Sequence, residues 1–413
     1  MAVDTPATIA IVGAGPIGIE AALYARFLGY SVLLFDKGGA AEHVRRWGHV
    51  QLFTPFSMNS SPLGIAALSA QDDDFQPPPP DAQLTGAQWA TEYLLPLAHS
   101  DLVGDSLREH CEVLSITRPD FLKGECIGDE ARGEDEFRVL YVDGDGREHV
   151  ELVDVVIDAS GVFSNPNNCG PGGGLALGER ALAERIRRDL PDVLGADRST
   201  YEGRRTLVIG NGYSAATTVA ALAELKHQCP AMQIHWVTRG SSQTPLERIP
   251  ADRLPARDAL AERVNRIVDG AEPMAQWLPE CELEQILEVD GALEVRLTNG
   301  QTIVVDEIVA NVGYHVDGQI TRELQVQTCY ATEGPLQLAA SLLASDGSDC
   351  LDQQAHGVET LCHPEPNFYV LGAKSYGRNS QFLFQVGLQQ IKELFALIGD
   401  RAALDLYATA PTP

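Results

Sequence analysis

Apolar and polar positions fall into the same succession twice along this chain. The first begins with the apolar run TIAIV at 8–12, followed by the glycine turn GAGPIG, the small-residue stretch IEAALYARFL, Gly29 and a second apolar run, SVLLFD, at 31–36. Short apolar runs bounded by glycine predict strands, and the longer small-residue stretch predicts a helix. Residues 37–82 predict an irregular excursion ending in prolines 77–80, which suit neither a helix nor a central strand. A helix is predicted over about 86–98 with Thr85 as N-cap. FRVLYV and REHVELV flank Asp143-Gly144-Asp145-Gly146 and predict a hairpin that leads into the buried strand VDVVIDASG. The Asn-, Pro- and Gly-rich residues 164–174 mark a boundary.

The pattern then restarts. TLVIG reads as a strand, NGYSAATTVAALAEL as a helix and QIHWVTRG as a second strand. ILEV, LEVRL and TIVVDEIVANVG follow around the turns Asp290-Gly291 and Asn299-Gly300, and FYVLGAKSYG and a helix from about Ser380 to Ile398 close the chain. The repetition predicts an α/β fold with two Rossmann-like dinucleotide-binding domains, each carrying an added antiparallel β ribbon. Residues 1–165 and 305–413 form the first, discontinuous domain, and residues 166–304 the second, inserted in it.

Composition narrows the partners. The chain carries a net charge of −28, which disfavours nucleic acid and anionic membrane surfaces. Its first apolar run lacks the basic start and length of a signal peptide, and no run is long enough to span a bilayer. Eight cysteines show neither C-x-x-C nor metal spacing, so no metal is expected and they read as thiols in a reducing cytoplasm.

The chemistry lies in the glycine turns. In Gly13-x-Gly15-x-x-Gly18, Gly13 allows the tight turn, Gly15 lets backbone approach a pyrophosphate, and Gly18 lets helix and strand pack closely. The phosphates would sit at the helix N-terminus, where Pro16 begins the helix. Asp36 ends the next strand, where a carboxylate accepts hydrogen bonds from a ribose diol, with Lys37 beside it in the cofactor shell. The second turn is Gly210-x-Gly212-x-x-Ala215, with Ser214 in the same helix start. Its following strand ends in Thr238-Arg239 rather than a carboxylate. An arginine there pairs with a 2′-phosphate and points to NADPH; the alternative is a solvated strand-end charge. Arg248, Arg253 and Arg257 either line the same side or are surface charge. Two different dinucleotides, FAD and NADPH, account economically for two such folds.

The pieces GAGPIG, LFTPFSMNSSPLG, VVIDASGVFSNPN, YEGRRTLVIGNGYSA, EIVANVGYH and FYVLGAKSYGRNSQFLFQ together resemble the flavin-containing monooxygenases, within the two-dinucleotide-binding flavoproteins that include thioredoxin reductase. The resemblance covers nearly the whole chain and assigns FAD to the first domain. It implies that Gly161 and Gly313, ending the two crossing strands, lie close to bound cofactor. It also implies that Asn59 of Asn59-Ser60-Ser61 lies beside the flavin, holding NADP⁺ and the oxygenated flavin; the alternative is an asparagine capping a turn. After Gly372, the last helix would point its N-terminus at the flavin, with Lys374 either assisting or simply exposed. One family segment, Phe-x-Gly-x-x-x-His-x-x-x-Tyr/Phe before the second glycine turn, is missing: residues 186–203 contain no histidine. The implied activity is an NADPH-consuming monooxygenase that works through a flavin C4a-hydroperoxide, with O₂ and a small nucleophilic or carbonyl substrate as partners. An NAD(P)H-dependent reductase of a non-disulfide acceptor such as a quinone, and a non-catalytic NADPH-sensing flavoprotein, are the alternatives. Cys362-His363 offers a poor catalytic dyad, because adjacent residues seldom face one another.

Overall fold

The computed structural model describes residues 3–240, 243–270, 273–344, 349–353 and 355–410. They form two compact units, Met1–Asn165 with His315–Pro413, and Pro166–Tyr314. In chain order the first unit contributes β1 (Thr8–Val12), β2 (Ser31–Phe35), β3 (Leu107–Arg108), β4 (Glu112–Thr117), β5 (Phe137–Val142), β6 (Glu148–Val153) and β7 (Val155–Asp158). The second contributes β8 (Ile186–Arg187), β9 (Arg205–Ile209), β10 (Gln233–Val237), β11 (Gln276–Leu278), β12 (Leu283–Val289), β13 (Ala292–Leu297), β14 (Thr302–Val305) and β15 (Glu307–Ala310). The chain then returns to the first unit for β16 (Phe368–Val370).

Each unit is built on a parallel sheet, in the order β16-β7-β1-β2-β3 in the first and β11-β10-β9-β15-β8 in the second. The central strands are apolar along their length because helices and ribbons cover both faces. Ile9, Ala10, Ile11, Val155, Val156 and Ile157 are fully buried, as are Leu207 and Val208 in the second unit. The ribbons β4-β5-β6 and β12-β13-β14 are antiparallel meanders. The two-fold α/β architecture expected from the sequence is therefore present, ribbons included.

Three boundaries differ from expectation. The second unit runs past residue 304, because β15 pairs in parallel with β9, Glu307 opposite Thr206. The excursion over 37–82 contains a helix at Pro62–Gln71, started by Ser61, whose hydroxyl accepts from the Gly64 N–H at 2.8 Å, and by Pro62 at the first helical position. The last helix spans Phe384–Ile398 and starts after Ser380. The helix after Thr85 is present: Thr85 and Gln88 form a reciprocal capping box, and a π turn at Ala90–Leu94 interrupts the α turns. Among the described residues no helix is long and apolar enough to cross a membrane.

Candidate dinucleotide sites

The glycines of the first turn divide by what a side chain would meet. Gly13 has φ +103°, and a Cβ on it would lie 2.7 Å from the Ala159 carbonyl oxygen, so the turn presses against the loop that leaves β7. A Cβ on Gly18 would lie 1.8 Å from the Gly13 carbonyl oxygen. These two are required by the fold itself. Gly15 is different: its φ is −78°, open to any residue, and a Cβ there would meet nothing within 4 Å. Nothing in the protein demands a glycine at this position, and the space beside it is open. The helix Pro16–Phe27 that begins here has no side-chain cap, which leaves its first-turn amides to an outside acceptor.

Asp36, on the adjacent strand end, accepts from the Ala14 N–H at 2.8 Å and from the Gly38 N–H at 2.9 Å, one on each carboxylate oxygen. Burial pushes its carboxyl pKa up, and those two N–H groups oppose the rise. Each oxygen keeps a second lone pair for a hydroxyl donor. Lys37 is exposed.

The second unit repeats the arrangement. Gly210 has φ +128°, and a Cβ on it would lie 2.2 Å from the Asn311 carbonyl oxygen, which leaves β15 as Ala159 leaves β7. Ala215 is fully buried and packs on the turn, while Ser214 is exposed at the start of the uncapped helix Tyr213–Gln228. Gly212 has φ −91°, and a Cβ there would meet nothing within 4 Å. Arg239, exposed after β10, forms no side-chain hydrogen bond or ion pair with any described residue. Arg248 is held by Asp258 at 2.5 Å and Arg257 by Asp252 at 2.7 Å, so neither is a ready phosphate ligand. Gly161 and Gly313 take φ of +70° and +83°, and the Gly313 loop is fixed by Asn167, whose amide donates to the Val312 carbonyl at 3.1 Å.

Lys374 is not the exposed lysine that sequence alone allowed. It is buried, 2.6 Å from Asp158 Oδ2 and 3.0 Å from Ser160 Oγ. Asp158 Oδ1 in turn accepts from the Ser160 N–H and hydroxyl. The strand ends of β16 and β7 are thus tied together beside the first glycine turn. Gly372, φ +73°, donates its N–H to Gln390 Oε1 at 3.0 Å, and the Gln390 amide donates to Ser375 Oγ.

Asn59 is buried, and its amide donates to the Thr54 hydroxyl at 2.8 Å, the Thr54 carbonyl at 3.1 Å and the Pro55 carbonyl at 2.9 Å. The side chain closes its own turn. Cys362 and His363 do not form a dyad: the Cys362 thiol lies 3.5 Å from the Val358 carbonyl, and burial presses the His363 pKa down to about 4.

Two clusters escaped the sequence reading. One is Asp158, whose signal was a lone carboxylate ending a wholly apolar strand. The other centres on Glu20, fully buried in the first glycine-turn helix. Tyr93 donates its hydroxyl to Glu20 Oε1 and accepts from the Ser61 N–H at 2.9 Å. Burial, opposed by the Tyr93 and Ser61 hydroxyls, raises the Glu20 carboxyl to about 7. A carboxylate within the otherwise uncharged run from Pro16 to Ala25 was the available signal.

No family profile and no curated protein matches the chain. Solved structures do. The bacillithiol disulfide reductase of Bacillus cereus superposes with a TM-score of 0.66 at 16% identity, covering 96% of this chain and 100% of that one. The FAD-bound cadaverine monooxygenase of the desferrioxamine pathway from Erwinia amylovora gives 0.64 at 14% identity, covering 96% and 95%. Thioredoxin reductase of T. acidophilum gives 0.57 at 15% identity, covering 97% and 100%. At these identities the likeness is one of fold, and the chain has the fold of the two-domain FAD/NAD(P) oxidoreductases to which thioredoxin reductase belongs.

Proposed function

We propose that the chain is an FAD-dependent oxidoreductase that consumes NADPH and acts as a monooxygenase on a small nucleophilic or carbonyl substrate. The observation that carries this is the pair Gly15 and Gly212. Both occupy ordinary backbone, both front an uncapped helix, and at both a Cβ would meet only open space. Two equivalent cradles in one chain suit two dinucleotides. When bound, FAD would supply the electron-accepting and O₂-activating chemistry and NADPH the hydride.

The chain's own residues would bind and orient. The first-turn amides after Gly15 face one pyrophosphate, and Asp36 offers its remaining lone pairs to a ribose diol. The amides after Gly212 face the other pyrophosphate, and the unpaired Arg239 guanidinium suits a 2′-phosphate, which separates NADPH from NADH. Lys374 and Asp158 hold the Ser160–Gly161 loop against the first glycine turn.

A second reading, NAD(P)H-dependent reduction of a quinone-like acceptor, is favoured by Asn59. Its amide hydrogens are already engaged by Thr54 and Pro55 rather than offered to a ligand. The eight cysteines show neither C-x-x-C nor C-x₄-C spacing, which favours a non-disulfide acceptor in that case. The deciding experiment measures NADPH consumption by FAD-loaded protein against amines, thioethers, ketones and quinones, with O₂ present and absent. Oxygenated product formed only with O₂ supports the monooxygenase; undiminished anaerobic turnover with a quinone and no oxygenated product supports the reductase. No NADPH turnover with any of them refutes both.

A further inference from the structure

The first unit contains a cavity that the dinucleotide sites do not use. It lies between the helix Leu336–Ala344, the segment 355–361 and one face of the helix Phe384–Ile398, which presents Val386, Gln390 and Glu393 on successive turns. Its empty volume, open solvent at the mouth included, is about 200 Å³. That is room for one small polar head, with a short stem toward the mouth. Leu338, Leu361 and Val386 supply apolar wall.

The polar lining is unbalanced. Tyr376 is fully buried, and among the described residues its hydroxyl has no hydrogen-bond partner; His356 Nε2 is likewise buried and without a partner among them. Buried polar groups in folded proteins are nearly always paired, so a bound group is expected to satisfy them. The other lining groups offer mainly acceptors. The Thr360 hydroxyl already donates to the Gly357 carbonyl at 2.7 Å, which leaves it lone pairs only. The Gln390 amide accepts from the Gly372 N–H and gives one hydrogen to Ser375, so a single N–H is its remaining donor. Glu393 takes the Gln389 amide on Oε1, leaving Oε2. The lining holds a carboxylate and no lysine or arginine.

A cavity with surplus acceptors, one negative charge and space for one compact head selects a donor-rich cation. We infer that this cavity binds a primary alkylammonium group, with Glu393, Tyr376 Oη and His356 Nε2 taking its three N–H donors. His356 then carries its own proton on Nδ1. The site lies within one unit and does not rest on the flavin reading, so its test needs neither cofactor nor turnover.

The test is calorimetric titration of the full chain with n-butylamine hydrochloride near neutral pH, with n-butanol as the neutral match. Butylammonium should bind at least about tenfold more tightly than butanol, as a charged hydrogen bond implies. Glu393→Gln, a half-exposed and near-isosteric change, should weaken butylammonium by about tenfold, and Tyr376→Phe by about three- to tenfold. Equal binding of butanol and butylammonium would overturn the assignment and leave an apolar pocket. Absence of any butylammonium binding would leave a cavity filled by water only. The wild-type comparison of the two probes decides the matter even if a variant fails to fold.

Discussion

The Lys374 ammonium sits 2.6 Å from Asp158 Oδ2, with side-chain exposures of 5% and 1%, so the two strand ends beside the first glycine turn are joined by a buried ion pair. Such a pair adds little over a well-packed apolar substitute, but losing one partner strands the other charge. Lys374→Met should therefore destabilise the first unit by about 3–5 kcal/mol. Adding Asp158→Asn should recover a large part of that loss. Urea unfolding of the two variants checks this; a double variant no more stable than the single one would mean that the charges are uncoupled.

Glu20 makes stability depend on pH in a defined direction. Its carboxyl titrates near 7 in the folded protein against 4.5 ordinarily, because burial disfavours the charge. Between those values the folded state holds a proton that the unfolded chain releases, so stability falls as pH rises through this window. Ionised Glu20 costs on the order of 3 kcal/mol. Glu20→Gln should match wild type near pH 4 and exceed it increasingly toward pH 8. The groups around it, Tyr93, Ser61 and Tyr407, stay neutral in this range, since burial raises both phenols well above their ordinary values. Thermal melts across pH measure the difference, and a constant gap between the two proteins would contradict the buried-carboxyl account.

Gly15→Val and Gly212→Val separate ligand space from folding. Each added side chain points into open space on ordinary backbone, so each variant should fold with an unchanged melting temperature in the absence of ligand. Gly15→Val should lose FAD, seen as loss of yellow colour, while Gly212→Val should keep FAD and weaken NADPH by at least about tenfold. Full FAD retention by Gly15→Val would remove the first cradle.

Arg239→Ala tests coenzyme choice. A charge-assisted pair with phosphate is worth about 1.5–3 kcal/mol, or roughly ten- to a hundredfold in affinity. The KM for NADPH should rise by about that factor while NADH changes little, and the wild-type preference should shrink as salt rises. Arg248 and Arg257 are held by Asp258 and Asp252, so they are poor substitutes if Arg239 is silent.

What the sequence determined by itself was local or periodic. The apolar runs, the two glycine turns and the hairpin turns specify both parallel sheets and both ribbons, because strand and helix periodicity and positive-φ turns act over a few neighbouring residues. The helix at Pro62–Gln71 was equally local, signalled by Ser61-Pro62, but the four prolines that follow suggested an irregular segment throughout. The reach of the second unit to Tyr314 was not local: it depends on which strand β15 joins.

Only the tertiary structure decided which residues answer one another. It made Gly13, Gly18 and Gly210 fold requirements and left Gly15 and Gly212 beside open space, a distinction that rests on atoms distant in sequence such as Ala159 and Asn311. It turned Lys374 from a surface charge into the partner of Asp158, 216 positions away. It placed Glu20 against Tyr93 and engaged the Asn59 amide within its own turn. The physical reason is common to all of them. Burial and hydrogen-bond pairing are set by what the fold brings into contact, and a residue's type records its capacity to pair but not its partner.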